Sequence, residues 1–412
     1  MKSVTFIVIL MLCDITFGLE VLRKREKRMF ELHTEKNKHT EMSEYTERKV
    51  VGYYTNWSQY RTATVGGWPS KFTPERIDAK LFDVLNFAFV TFDDTYEVKE
   101  YEWNDNVMIP QLVSLKSHNP NLKVCVSIGG WNFNANAKTK HLFHDMAATS
   151  VSRKRFIKSA IQFARKYNMD GIDIDWEYPG NELQGGHPTD FLNFNCLVKE
   201  FREFVEIDSK EENKEPLLIT VAAPAGIQNI QNIDVETVSK YIDWFNLMTY
   251  DLHGAWDNIT GPHTALYSTD GLSVNDCVSE YLKSGVPSHK LVLGLAHYAR
   301  GWTVNNNTTE HKMGEEASGP SECGRCTGEN GYLAKYEIDE IIPKNNIFFD
   351  DTSKTLFGYF DNKFYTFDDK ETFKMKVEYA KEKSLGGVMM WSVDLDKDFV
   401  NTKYVRSVLA SD

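Results

Sequence analysis

The chain has 412 residues, 42% hydrophobic and 26% charged, an ordinary globular composition that excludes bulk disorder. Its formal charge of −12 makes it a poor binder of phosphate backbones, because nonspecific nucleic-acid affinity needs clustered Lys and Arg. Aromatic residues reach 13%, and acidity with flat apolar side chains suits an uncharged partner with apolar faces, a description that sugars meet.

Residues 1–18 read as a secretory signal. Lys2 supplies the positive start, Val4 to Cys13 the apolar run, and Thr16 and Gly18 the small residues of a cleavage site. A run of about ten residues falls short of the ~20 that a spanning helix needs. The expectation is a secreted, extracellular protein, free of the membrane once the signal is removed. Residues 19–49 are crowded with Lys, Arg and Glu and lack Gly and Pro. Two readings stay open: a pro-segment cut after Arg25-Glu26-Lys27-Arg28, or a solvated charged linker.

From residue 50 onward, short apolar runs alternate with amphipathic stretches. The runs are Val50–Thr55, Val84–Val90, Val124–Ile128, Gly171–Trp176, Leu217–Ala223, Trp244–Thr249, Leu291–Ala296 and Gly386–Trp391. They are nearly continuous in apolar residues, as strands covered on both faces of a parallel sheet are. Between them, Ser152–Tyr167 places Phe156, Ile157, Ala160, Ile161 and Ala164 at helical spacing. Eight strands alternating with helices predict an α/β fold, a (β/α)8 TIM barrel over residues 50–412. The interval from Leu291 to Gly386 is far longer than the others and leaves roughly 50–60 residues over. They are expected to form a small α+β insertion domain between strands 7 and 8, within residues 301–367.

The richest segment is Asp170-Gly171-Ile172-Asp173-Ile174-Asp175-Trp176-Glu177. On a strand, Asp173, Asp175 and Glu177 share one face, and Ile172, Ile174 and Trp176 the other. The acidic face then lines the barrel and rises to its C-terminal mouth, where barrel enzymes work. A solvated acidic face is excluded by the interleaved apolar residues, and no further motif joins the cluster to hold a metal. Buried carboxylates are costly unless paired, protonated or useful, which points to catalysis. Glu177, outermost, suits a proton donor. Asp175, one step deeper, suits contact beside the scissile bond. Asp173 lies deepest and is expected to hydrogen-bond Asp175 and share its proton. Asp170 and Gly171 are assigned structural roles at the strand base.

Once Cys13 leaves with the signal, five cysteines remain, so at least one thiol is free or bonded between chains. Cys125 reads as a buried thiol. Cys323-Gly324-Arg325-Cys326 is expected to close a local disulfide; a zinc pair would want a second pair of suitable spacing. Sequons stand at Asn258, Asn306 and Asn307, and at Asn56, which is expected to be enclosed.

The acidic motif resembles the DGxDxDxE signature of the family 18 glycoside hydrolases, the chitinases. Further segments are similar to that family's strand ends: Tyr53-Tyr54-Thr55-Asn56-Trp57, Ser127-Ile128-Gly129-Gly130-Trp131, Met248-Thr249-Tyr250-Asp251, Tyr298-Ala299-Arg300 and Met390-Trp391-Ser392. The resemblance runs from about Lys49 to the C-terminus. It implies substrate-assisted, retaining hydrolysis of chitin and N-acetylglucosamine oligosaccharides, with no cofactor and no metal. By resemblance, Glu177 is the acid and base, Asp175 orients the acetamide, and Tyr250 and Asp251 hold the acetamide and the distorted sugar. Trp391 forms the floor. Tyr53, Met248 and Tyr298 would line the cleft, with Trp131, Trp256, Arg300 and Glu337 at neighbouring subsites. Two other functions share parts of the pattern: a chitin-binding lectin, and an endo-β-N-acetylglucosaminidase acting on N-glycans. Gly52 and Phe82-Asp83-Val84 depart from relatives that carry a cysteine bridge there. No cysteine-rich chitin-binding tail follows strand eight, so polymer binding is expected from the cleft or a partner. The protein is expected to be a monomer.

Overall fold

The computed structural model describes residues 48–304 and 312–411; the signal, most of the charged lead, Asn306 and Asn307 lie outside them. Eight parallel strands close into a barrel. They are β1 (Lys49–Thr55), β2 (Val84–Phe92), β3 (Lys123–Gly129), β4 (Gly171–Asp175), β5 (Leu218–Ala223), β6 (Trp244–Leu247), β7 (Leu291–Ala296) and a last strand at Gly387–Trp391. The last strand pairs with both β7 and β1, and β1 pairs with β2, which closes the ring. Helices surround it, as in a (β/α)8 TIM barrel.

Period-2 alternation decides what each strand shows to each side. On β4, Ile172 and Ile174 are fully buried in the apolar layer that also holds Phe156, Ile157, Leu197 and Phe201. Asp173 and Asp175 have the opposite parity and point into the barrel. The helix Ser150–Lys166 shows how the outer layer is fixed. Thr149 and Ser152 form a reciprocal capping box at its start, and Arg165 and Lys166 sit in the last turn, where cations suit the helix dipole.

Between β7 and the last barrel strand stands a second sheet. Its strands are β8 (Tyr298–Val304), β9 (Ala317–Pro320), β10 (Tyr332–Ala334), β11 (Ile347–Asp350), β12 (Thr355–Phe360) and β13 (Lys363–Phe367), all paired antiparallel. The last barrel strand is therefore β14. One residue, His297, separates β7 from β8; its amide donates to the Trp391 carbonyl at 2.8 Å, and its carbonyl accepts from Lys335. The inserted sheet is thus tied to the barrel mouth at its root.

Two expectations meet corrections here. Cys323 and Cys326 are free thiols, because the turn sends one to solvent and buries the other. Glu337 does not face a cleft. It is buried at the start of the helix Lys335–Ile341, and its carboxylate accepts from the amides of Cys326 (2.6 Å) and Ala334 (2.9 Å) and from the Thr327 hydroxyl (2.8 Å). A carboxylate so engaged closes a loop rather than meeting a ligand. Asn56 is buried and donates to Asp105 at 3.1 Å, whereas Asn258 is exposed.

Candidate active site

The acidic face of β4 rises through the barrel to the ends of β1, β6 and β14. Asp170, at its foot, accepts from the Val124 amide at 2.7 Å and pairs with Lys116. Gly171 follows because a Cβ there would come within 2.7 Å of the Cys125 sulfur and of Leu218.

Asp173 is fully buried, and donors from four other strands fill both its oxygens. Thr220 (2.5 Å) and Asn246 (3.1 Å) donate to Oδ1, Ser127 (2.7 Å) and Tyr53 (2.8 Å) to Oδ2. The register explains the convergence, since Ser127 and Thr220 are the direct neighbours of Asp173 on β3 and β5. Burial raises its pKa and the donors pull it part of the way back. The expected hydrogen bond to Asp175 is not what holds it. The link between the two is electrostatic, because the lone pairs are already spent on stronger local donors.

Asp175 is its counterpart. It is buried, and no donor among the described residues reaches its Oδ1. Burial, reinforced by Glu177 above and Asp173 below, pushes its pKa well above the carboxylate range. Its surroundings favour the protonated form over the carboxylate. Glu177 follows the strand end, buried but at the mouth, with Trp176 stacked on Phe143 at 5.3 Å beneath it. Burial raises Glu177 to about 7, helped by Asp251 and opposed by a hydrogen bond from Tyr178. The three carboxyls thus form one titrating group, with the deepest held as an acceptor and the upper two able to hold a proton.

Gly129 lets this geometry exist. Its φ is +115°, and a Cβ would stand 2.2 Å from the Asp175 carbonyl. Without one, that carbonyl accepts from the Gly130 amide (3.0 Å) and the Asn134 side chain (3.1 Å).

Across the mouth, Asp251 adopts a left-handed φ of 56°, which Asp tolerates at a modest cost. Arg300 grips it bidentately, Nε to Oδ1 at 2.7 Å and Nη2 to Oδ2 at 2.6 Å, and the Tyr298 hydroxyl donates to Oδ1 at 2.6 Å. Burial would raise this carboxyl, but the guanidinium outweighs burial and holds it below the usual range. Tyr298 is buried behind Asp251, stacked on Tyr332 at 4.4 Å, so it positions the aspartate and does not face the opening. Arg300 also lies 5.2 Å from the Trp256 ring, and its free arm approaches Glu329 at 3.6 Å.

Tyr250 is buried, and its hydroxyl meets the Met389 sulfur at 3.8 Å, a weak acceptor that leaves it available to a better one. Trp391 closes the floor at the end of β14, 5.4 Å from Tyr53, 5.8 Å from Phe89 and 6.3 Å from Trp57. Met248 packs half-buried in the same cluster. Trp131 and Trp256 are 52% and 58% exposed, as open flat faces need to be.

The structure adds residues that sequence reading missed. Trp57 and Phe89 stack beside Trp391, and Tyr332 and Glu329 wall the Arg300 side. Ser127, Thr220 and Asn246 saturate Asp173. Strand parity would have found these three, since each has inward parity on a predicted strand. No group of His, Cys, Asp and Glu suited to a metal occurs among the described residues.

Comparison with known proteins identifies the family and the fold. Residues 49–396 match the model of the glycosyl hydrolases family 18. The chain is 36% identical over 357 residues to chitotriosidase-1 of Mus musculus, spanning 84% of this chain and 73% of that protein. Its structure matches an active chitinase of Trichuris suis with a TM-score of 0.79 and 31% identity, covering 88% and 98% of the two chains. It equally matches human YKL-39, described as a pseudo-chitinase with retained chitooligosaccharide binding, at TM-score 0.79 and 32% identity over 88% and 100%. A barrel carrying this acidic strand, with a family match over most of its length, is a member of glycosyl hydrolases family 18.

Proposed function

We propose that the protein is a secreted chitinase that cleaves β-1,4 links between N-acetylglucosamine units with retention of the β-anomer. The observation that carries this reading is the gradient along β4. Asp173 is saturated with donors, Asp175 is pushed well up by burial with no donor on its Oδ1, and Glu177 has been raised to about 7. In this reading Glu177 protonates the leaving oxygen and then, as a carboxylate, takes a proton from water. The substrate's acetamide oxygen attacks the anomeric carbon, so the protein supplies no nucleophile. Protonated Asp175 donates to the acetamide and steadies its developing charge. Tyr250 offers a second directed hydrogen bond. Asp251, kept anionic by Arg300, holds the distorted sugar, and Trp391 stacks under its apolar face. The chain's acidity repels nothing, because the polymer is uncharged. Trp131 and Trp256 would extend the cleft to neighbouring units.

The test is a time course on a long N-acetylglucosamine oligomer, with the anomer of fresh products read by NMR. Shorter oligomers with a β-anomer excess are expected. The likeness to YKL-39 favours a second reading, binding without turnover; it would be adopted if the oligomer bound and stayed whole. Secretion is tested by sequencing the N-terminus of exported protein, with a start after Arg28 expected for the pro-segment.

A further inference from the structure

Asp173 is held by three hydroxyls and one amide, and these are not equivalent. Ser127, Thr220 and Tyr53 can each turn their O–H and accept a proton's hydrogen bond instead of giving one. The Asn246 amide can do so only by flipping, which would bring its oxygen to Asp173. Trp244, two residues earlier on β6 and on the same inward face, donates its indole N–H to Asn246 Oδ1 at 3.0 Å. The indole N–H is a donor only, so it demands the amide oxygen. The amide nitrogen is left to face Asp173 and the Tyr53 hydroxyl, both at 3.1 Å. A flip would set N–H against N–H at one end and oxygen against carboxylate at the other.

We propose that Trp244 is a positioning residue. Its indole N–H locks Asn246 as a standing donor to Asp173, so that the proton of the acidic group stays above, on Asp175 and Glu177. This rests on the role given to those carboxyls under the proposed function. Packing alone does not call for the N–H. Trp244 is buried low in the barrel beside Val51, Val84 and Val292, an apolar layer that a phenyl ring would also satisfy. The Lys49 ammonium lies 5.2 Å from the ring centroid and holds the indole from below. The titratable groups facing Asp173 among the described residues are Asp175, Tyr53 and the Cys125 thiol. Burial pushes the last two well up, so Asp175 is the partner that exchanges charge with Asp173. Trp244 lies beneath Asn246 and touches no substrate.

The experiment compares Trp244→Phe with the wild type by two readouts. The first is the titration of 13C-labelled aspartate carboxyls, assigned with Asp173→Asn and Asp175→Asn. The second is kcat/KM against pH on a soluble oligomer. Loss of the lock should raise the proton affinity of Asp173 about tenfold, the scale of one hydrogen bond to a charged group, and move the acid limb of the profile with it. In an Asn246→Leu background the same substitution should add nothing, since its route has gone. An unchanged titration, a lower melting temperature with the profile intact, or a shift that survives Asn246→Leu each overturns the proposal. Should Trp244→Phe not fold, the wild-type indole 15N–H resonance of Trp244 decides, because it must move with the aspartate titration. An inactive wild type overturns the chitinase reading and leaves the carboxyl titration to judge the lock separately.

Discussion

Glu177→Gln carries the strongest test of the site. At an ordinary value of 4.5, a glutamic acid would be protonated about one part in 300 at pH 7; at about 7 it is protonated in one molecule of two. Burial therefore supplies roughly a hundredfold more acid at neutral pH, worth about 3 kcal/mol. The sign follows: kcat/KM should fall about tenfold per unit above pH 7, as the acid is lost. The apparent value belongs to the Asp175–Glu177 group rather than to one residue. The glutamine cannot give a proton, and its variant should lose about 10²–10⁴-fold in kcat on an unmodified oligosaccharide, whose alkoxide leaving group needs that proton. On an aryl chitobioside, whose phenolate leaves unaided, the first step should lose much less. The assay is kcat/KM from pH 4 to 9 on both substrates, with circular dichroism confirming the fold. A loss under tenfold on the oligosaccharide, or equal losses on the two substrates, would refute the assignment of Glu177 as the acid.

Other consequences can be checked on the same preparation. Asp175→Asn should lower kcat by about 10²-fold with little change in KM, because the proton on Asp175 is asked for only as charge develops on the acetamide. Trp391→Ala should weaken oligomer binding about tenfold and Trp391→Phe far less, read by calorimetry in a Glu177→Gln background. His263 is buried and its pKa is lowered to about 4 by burial, so the unfolded chain takes up a proton below about 6.5 that the fold refuses. Its contribution is intact above 6.5 and is lost as pH falls towards 4, by up to about 3 kcal/mol. His263→Asn should flatten the stability difference between pH 7 and pH 4 in urea titrations, and an equal slope would count against this. Thiol labelling without denaturant should be fast at Cys196 and Cys323 and slow at Cys125, Cys277 and Cys326, all three raised by burial. A pair that stays unlabelled after unfolding would restore the disulfide.

Much of the barrel was legible because period-2 burial writes itself into sequence. The predicted strand Gly171–Trp176 is observed as Gly171–Asp175, and Leu291–Ala296 is observed unchanged. The parity of Asp173, Asp175 and Glu177 was readable for the same reason. What escaped depends on closure. The donors to Asp173 come from residues 46 to 120 positions away in the chain, and no local pattern announces them. Glu337 and the Cys323–Cys326 turn failed for a related reason. Whether a side chain in a long insertion points to a cleft or into its own loop is decided by contacts such as Cys326 N–H to Glu337, which spacing does not encode.

The shared root of the two sheets has a consequence for how this enzyme can change. β8 leaves the barrel after a single residue, and its first three positions carry both Tyr298 and Arg300, the two residues that grip Asp251. From there the same strand pairs with β10 and β13. The inserted sheet is therefore not an accessory that could be trimmed without touching the mouth. Removing it would strip the Asp251 carboxylate of its counter-charge, and grafting a different insertion would transplant a new electrostatic setting along with it. The inserted sheet and the charge at the mouth are inherited as one piece, so a lineage that varies its mouth has more freedom in the loops after β1 and β3, where Trp57 and Trp131 stand, than in the one that looks most like an added part.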